Sequence, residues 1–144
     1  MDGIGGIVCF VLGWFLAQFG KMVGDLLKNK RPLSFREIVD AFTRSGGMPS
    51  GHTASFLGLS VFLGYRNGFC SSIFALAICT TAIVIYDAVN VRYAVGEQGK
   101  LLNILSSDSK QNRRVKVVEG HTVPQVIAGA ILGIAVATGI NFLI

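Results

Sequence analysis

Four blocks of apolar residues dominate this chain, and none shows the rhythm of a helix that is half in water. The first, "IGGIVCFVLGWFLAQFGKMVGDLL", runs from Ile4 to Leu27 and is long enough to cross a bilayer. It does not read as a signal peptide, because Asp2 stands where a basic n-region would be and no small-residue cleavage site follows. The second, "HTASFLGLSVFLGY" from His52 to Tyr65, is short for a span and needs its polar start buried in protein or near headgroups. The third, "FCSSIFALAICTTAIVIYDAVNV", covers Phe69–Val91, and the fourth, "VPQVIAGAILGIAVATGINFLI", covers Val123–Ile144. Half of the residues are hydrophobic and only 15% are charged, too few to coat a soluble domain. The expectation is an all-α integral membrane bundle of about four transmembrane helices, a single domain over 1–144, with spans at about 4–27, 52–65, 69–91 and 123–144.

The net charge of +5 is not a nucleic-acid footprint, because it is concentrated in two loops. Residues 28–50 hold Lys28, Lys30, Arg31, Arg36 and Arg44, and residues 93–121 hold Lys100, Lys110, Arg113, Arg114 and Lys116. The short loop between the second and third blocks holds only Arg66. With four spans both basic loops share one side, which the positive-inside rule makes cytoplasmic, in a protein of the cell membrane. Ser106–Arg114, "SSDSKQNRR", is polar enough to be a mobile loop. Cys9, Cys70 and Cys79 fall in or beside apolar blocks without metal-ligand spacing and read as inert thiols.

Polar residues inside spans are costly, so their positions are informative. Gln18, Lys21 and Asp25 share one face of the first span at i, i+3 and i+7. Asp87 and Asn90 lie near the cytoplasmic end of the third, with Arg92 just beyond, and His121 and Gln125 open the fourth. Together with His52, these residues map to one membrane side, so the candidate site lies at one membrane interface. Long cations such as Lys28, Lys30 and Arg31 can simply snorkel to the headgroups, but Asp87 is too short to do so. In "GMPSGHTAS", Ser50 can cap a helix, Gly51 can let the backbone approach a ligand, and the helix start favours an anion. A cap alone is usually only a cap. The two histidines on one side make a phosphate site the better reading. Gly129, Gly133 and Ala137 form a small-residue stripe that would let the fourth span pack closely on another helix and bring His121 to His52.

The segments "GGMPSGHTAS", "YDAVNVR" and "EGHTVPQVIAGAILG" resemble the divergent branch of the type-2 phosphatidic acid phosphatase superfamily, related to vanadium haloperoxidases and acid phosphatases. The similarity runs from about Gln18 to the C-terminus. The resemblance implies that His121 attacks phosphorus to form a phosphohistidine and that His52 protonates the leaving alcohol. It likens Ser50 and Gly51 to part of the phosphate cradle, with Lys21 and Arg92 as flanking cations. This chain departs from the superfamily pattern in three places. Gly24 stands seven residues before Arg31-Pro32 where a lysine is expected, Val115 six residues before His121 where an arginine is usual, and Gln125 four residues after it where an acid is usual. Arg92 and Arg114 therefore compete as the second cation, and Asp87 or Glu119 as the source of negative charge.

No carboxylate cluster is spaced for a metal pair, so neither a metal nor another cofactor is expected. The reading is a lipid-phosphate phosphatase in the bilayer, acting on a monoester such as phosphatidylglycerophosphate or phosphatidic acid from the cytoplasmic side. A non-catalytic protein that keeps the pocket to bind anionic lipids is the alternative, and self-association is left open.

Overall fold

The computed structural model describes residues 2–29, 34, 37–39, 42, 46–107, 114–115, 117 and 120–144. All regular structure among these residues is helical: α1 (Asp2–Asn29), α2 (Gly51–Asn67), α3 (Ser72–Tyr86), a π-turn (Asp87–Val91), α4 (Arg92–Ser107) and α5 (Val123–Leu143). Three stretches, Gly3–Leu27, Ser72–Ser106 and Val123–Leu143, are long and apolar enough to cross a membrane. At 17 residues, α2 covers only ~25 Å, short of a ~30 Å hydrocarbon core. Its surroundings explain how so short and polar a helix is accommodated: α1, α3 and α5 all pack on it, and it buries Thr53, Ser55, Gly58, Ser60 and Gly64.

Small residues set this packing. A Cβ on Gly129 would stand 2.5 Å from the Ser50 carbonyl oxygen, and one on Gly133 would stand 2.6 Å from that of Ala54. With Ala137, fully buried one turn on, these glycines are the face of α5 that meets α2, where lipid offers no hydrophobic drive and close backbone approach must supply the attraction. Gly13 of α1 does the same from the other side, 2.8 Å from the Ala54 oxygen by the same measure. Toward the far end, Cys9, Phe62, Val136, Ala137 and Ile140 form the apolar core. Between α2 and α3, Ser60 and Thr81 share a hydrogen bond of 2.8 Å, and Thr81 also donates to the Phe56 carbonyl. The packing brings the starts of α2 and α5, the end of α3 and the second half of α1 to one end of the bundle.

Two segments differ from the sequence reading. Helix begins at Ser72, capped by Ser71, and does not stop at residue 91. It continues through the π-turn into α4, so the first part of the presumed 93–121 loop is helix to Ser107. Charge made that stretch look like loop, but its apolar residues have helical spacing and its small residues lie on one covered face. Of the presumed 28–50 loop, residues 37–39 and 42 are helical. Ser34 and Glu37 exchange hydrogen bonds there as a capping box. Lys30, Arg31, Pro32, Arg36, Arg44, Lys110, Arg113, Lys116 and Glu119 lie outside the described residues, as does most of the presumed mobile loop. The three cysteines are free thiols, Cys9 buried and the other two exposed.

The glycine stripe yields a direct test. Gly133→Ala forces a methyl against backbone that cannot swing away, so it should cost about 1–3 kcal/mol and lower the unfolding midpoint in detergent. Gly139 has nothing within 4 Å of a built Cβ, so Gly139→Ala should leave the midpoint unchanged or slightly raised. Equal midpoints for the two variants would contradict this packing.

Candidate active site

Ser50 opens α2 because its extended backbone (φ −69°, ψ 117°) lets Oγ turn back on the first helical turn. Oγ accepts from the Thr53 amide at 3.4 Å and from the Thr53 hydroxyl at 3.0 Å, while the Ser50 amide donates to the Gln125 carbonyl at 3.0 Å. That last bond ties the start of α2 to the start of α5. One residue into α2, His52 is exposed, with the amides of Gly51 and His52 leading the helix. The position left open by Gly51 faces α1, where a Cβ would meet Trp14 and Ala17 in ordinary contact. The missing side chain of Gly51 thus points to a neighbouring helix.

His121 reaches the site from a different direction. Its amide donates to the Ala88 carbonyl at 3.0 Å, inside the π-turn, where the widened helix offers backbone acceptors that a regular α-helix would keep for itself. Gly120 lies so close to this helix that a Cβ would run into the backbone of Tyr93 and stand 2.8 Å from the Arg92 carbonyl carbon. Upstream, the Asn103 side chain grips the Val115 backbone at both ends, accepting from its amide at 2.7 Å and donating to its carbonyl at 2.9 Å. The return segment is thus laid along α4 and delivers His121 at its end. Nothing in the sequence marked Asn103, the Ala88 carbonyl or Gly120 for this task, although the glycine beside a histidine was a visible hint.

The two imidazoles meet with ring centroids 6.3 Å apart, edge to face. His121 is only 2% exposed, and neither Nδ1 nor Nε2 has a hydrogen-bond partner among the described residues. Burial first, then the charges of Lys21, His52 and Arg92, push the His121 pKa from 6.5 down to about 4. Lys21 is itself buried on α1. Arg92 donates from Nε to Asp87 Oδ2 at 2.6 Å. These residues are five apart, which the π-turn brings onto one side of the helix. Both partners are about two-fifths exposed, so the pair adds at most about 1 kcal/mol of stability.

Lys21, Arg92, His52 and His121 thus share one electrostatic neighbourhood. Arg114 does not join it by backbone position: its neighbour Val115 is held at Asn103, ~16 Å along α4 from Arg92. Gln125 also departs from expectation. Its Oε1 accepts the Thr122 amide at 3.2 Å in a capping box, and this duty occupies the group expected to orient the His121 ring. Asn90 only back-bonds to the Tyr86 carbonyl. Gln18, buried on the same helix face as Lys21, donates to the Phe42 carbonyl at 2.7 Å; among the described residues its Oε1 and the Ser55 Oγ are buried without a partner. Ser55 carried no signal in the sequence. Behind the His121 loop, Tyr93, Glu97, Lys100, Thr122 and Gln125 help line a cavity of about 150 Å³. Among the described residues no group of three or more His, Cys, Asp or Glu could hold a metal ion.

A family model described as "Divergent PAP2 family" matches residues 5–136. The chain is also similar to the uncharacterized membrane protein YuiD of Bacillus subtilis (strain 168). The two are 30% identical over 108 residues, covering 64% of this chain and 68% of the relative. No solved structure matches.

The depressed pKa of His121 fixes a sign. Between about 4 and 6.5 the unfolded chain binds a proton that the folded protein does not, so stability falls as pH drops through that window and is level above it. NMR titration should place the His121 imidazole midpoint near about 4, and His121→Asn should lose this part of the acid slope. A midpoint near 6.5 would contradict the buried, cation-flanked environment.

Proposed function

The chain belongs to the divergent PAP2 family, and on that premise we propose that it is a membrane phosphatase acting on a lipid phosphate monoester. The observation that carries this reading is the meeting of His52, in the first turn of α2, and His121, just ahead of α5, beside buried Lys21. Both His121 nitrogens are buried and have no hydrogen-bond partner among the described residues. A buried imidazole kept neutral is a nucleophile at neutral pH, and cations around it would hold a phosphoryl group.

In the proposed reaction a His121 nitrogen attacks phosphorus while the bond from phosphorus to the leaving oxygen breaks. His52, protonated, gives its proton to that oxygen as the alcohol departs. Water then attacks the phosphohistidine, His52 takes the water's proton, and inorganic phosphate leaves with His121 restored. Lys21 and Arg92 neutralise the phosphoryl oxygens, and the leading amides of α2, behind Ser50 and Gly51, add backbone donors. Asp87 holds Arg92 through the pair at 2.6 Å, and its charge is also among those acting on His52. This supports a place for Asp87 beside the general acid as well as beside the cation.

Phosphate carried on a lipid suits a site where three apolar helices bring their polar ends together. With both basic loops inside, the substrate side is cytoplasmic, which favours phosphatidylglycerophosphate or phosphatidic acid over a polyprenyl pyrophosphate on the outer face. Lipid binding without turnover is the second reading. Its support is Gln125, which supplies no carboxylate and is committed to a helix cap.

Phosphate release from lipid-phosphate substrates decides between them. Inverted membrane vesicles should release phosphate and right-side-out vesicles should not. EDTA should have no effect, vanadate should inhibit, and both His121→Ala and His52→Ala should lose at least ~100-fold. Absence of release from the wild type would leave the binding reading, and release from the outer face would reverse the orientation.

A further inference from the structure

The approach to His121 runs along one face of α4. Arg92, Gly96, Gly99 and Asn103 fall at i, i+4, i+7 and i+11, which puts them in one stripe. The return segment meets that stripe in reverse order. Val115 is held at Asn103, Val117 stands 3.4 Å from a Cβ built on Gly99, and Gly120 lies against the backbone of Tyr93 and Arg92. From Asn103 to Tyr93 the helix rises ~15 Å, and five residues lead from Val115 to Gly120. That is ~3 Å per residue, against ~3.3–3.6 Å for a chain at full stretch. Val115 and Gly120 therefore stand close to the separation of an extended chain.

Arg114, Val115, Val117 and Gly120 to Thr122 belong to no helix or strand, so no ladder of backbone bonds sets their register along α4. The Asn103 carboxamide can set it. It accepts from the Val115 amide at 2.7 Å and donates to the Val115 carbonyl at 2.9 Å. One bond would leave the residue free to turn, whereas two fix its place and its direction. Asn is the shortest side chain that offers an N–H donor and a carbonyl acceptor together. Both bonds are exposed, so they add little to overall stability, and their consequence is position. A slip of one residue would carry an extended chain ~3.3 Å along the helix, while a misplacement of ~1 Å can cost a reacting group ~100-fold. We propose that Asn103 is a positioning residue for His121, setting through Val115 the register in which the imidazole is delivered to His52. The effect on turnover rests on the phosphatase reading; the placement of His121 does not.

The test compares the full-length protein in detergent micelles with three variants by NMR. Asn103→Ala removes both groups, Asn103→Asp, ionised, accepts but cannot donate, and Asn103→Gln keeps both on a longer stem. In Asn103→Ala the Val115 and His121 amides should exchange faster. The His121 titration midpoint should rise from about 4 toward 6.5, as the ring leaves its burial and the charges of Lys21, His52 and Arg92. Asn103→Asp should shift the same way, Asn103→Gln should recover part of the loss, and the unfolding midpoint should stay unchanged. Fast exchange at Val115 with His121 unmoved in amide protection and midpoint would overturn the proposal, making the clamp local. A lowered unfolding midpoint with the His121 titration still near about 4 would overturn it as well, making Asn103 a residue of general stability. In turnover of a lipid phosphate, Asn103→Ala should lose ~10-fold or more in kcat with KM little changed. A rise in KM alone would contradict the positioning role. Failure of the phosphatase reading would show instead as no phosphate release from the wild type, with the NMR differences intact.

Discussion

The close approach of α5 to α2 is the contact on which the rest of the structure depends. Gly129 and Gly133 present bare backbone to the Ser50 and Ala54 carbonyls, and the Ser50 amide donates to the Gln125 carbonyl where the two helices start. A side chain at either glycine would push the helices apart, and the histidines stand at the ends that this contact brings together. The polar surface of α2 is tolerable for the same reason, since α1, α3 and α5 enclose it and the Thr53 and Ser60 hydroxyls find partners in protein. Packing and site are therefore one arrangement.

The π-turn is the second element of that arrangement. One widened turn presents the Ala88 carbonyl to His121, sets Arg92 within reach of Asp87, and begins the helix against which Val115, Val117 and Gly120 are laid. The salt bridge contributes little to stability, so its significance lies in where it holds the guanidinium. Cationic charge from Lys21 and Arg92 then acts on a buried imidazole and, with burial, keeps it neutral.

Much of this was legible from residue types and spacing. Long apolar blocks announced membrane helices, the small-residue stripe announced a close helix contact, and Lys21, His52, Asp87, Arg92 and His121 could be placed at one end by counting along the spans. What escaped the sequence has physical causes. A π-turn has no composition of its own, so neither the Ala88 acceptor nor the Asp87–Arg92 register could be read. α4 looked like loop because glycine, charge and amide residues interrupt it, yet Gly96, Gly99 and Asn103 form the face that packs on the return segment. Gln125 looked like a partner for His121 because spacing of four suggests one face, but the capping box at Thr122 claims its oxygen first. Which way the missing side chain of Gly51 points follows only from the position of α1.

The central claim is that His121 is a nucleophile served by His52, and the covalent intermediate tests it most directly. Protein quenched in alkali during turnover of a lipid phosphate, digested and analysed by mass spectrometry, should carry one phosphoryl group on the peptide containing His121. The modification should build up in His52→Ala with a substrate whose leaving group needs no proton, and should be absent from His121→Ala. Steady hydrolysis with no phosphorylated histidine, or with the phosphoryl group on His52, would contradict the account.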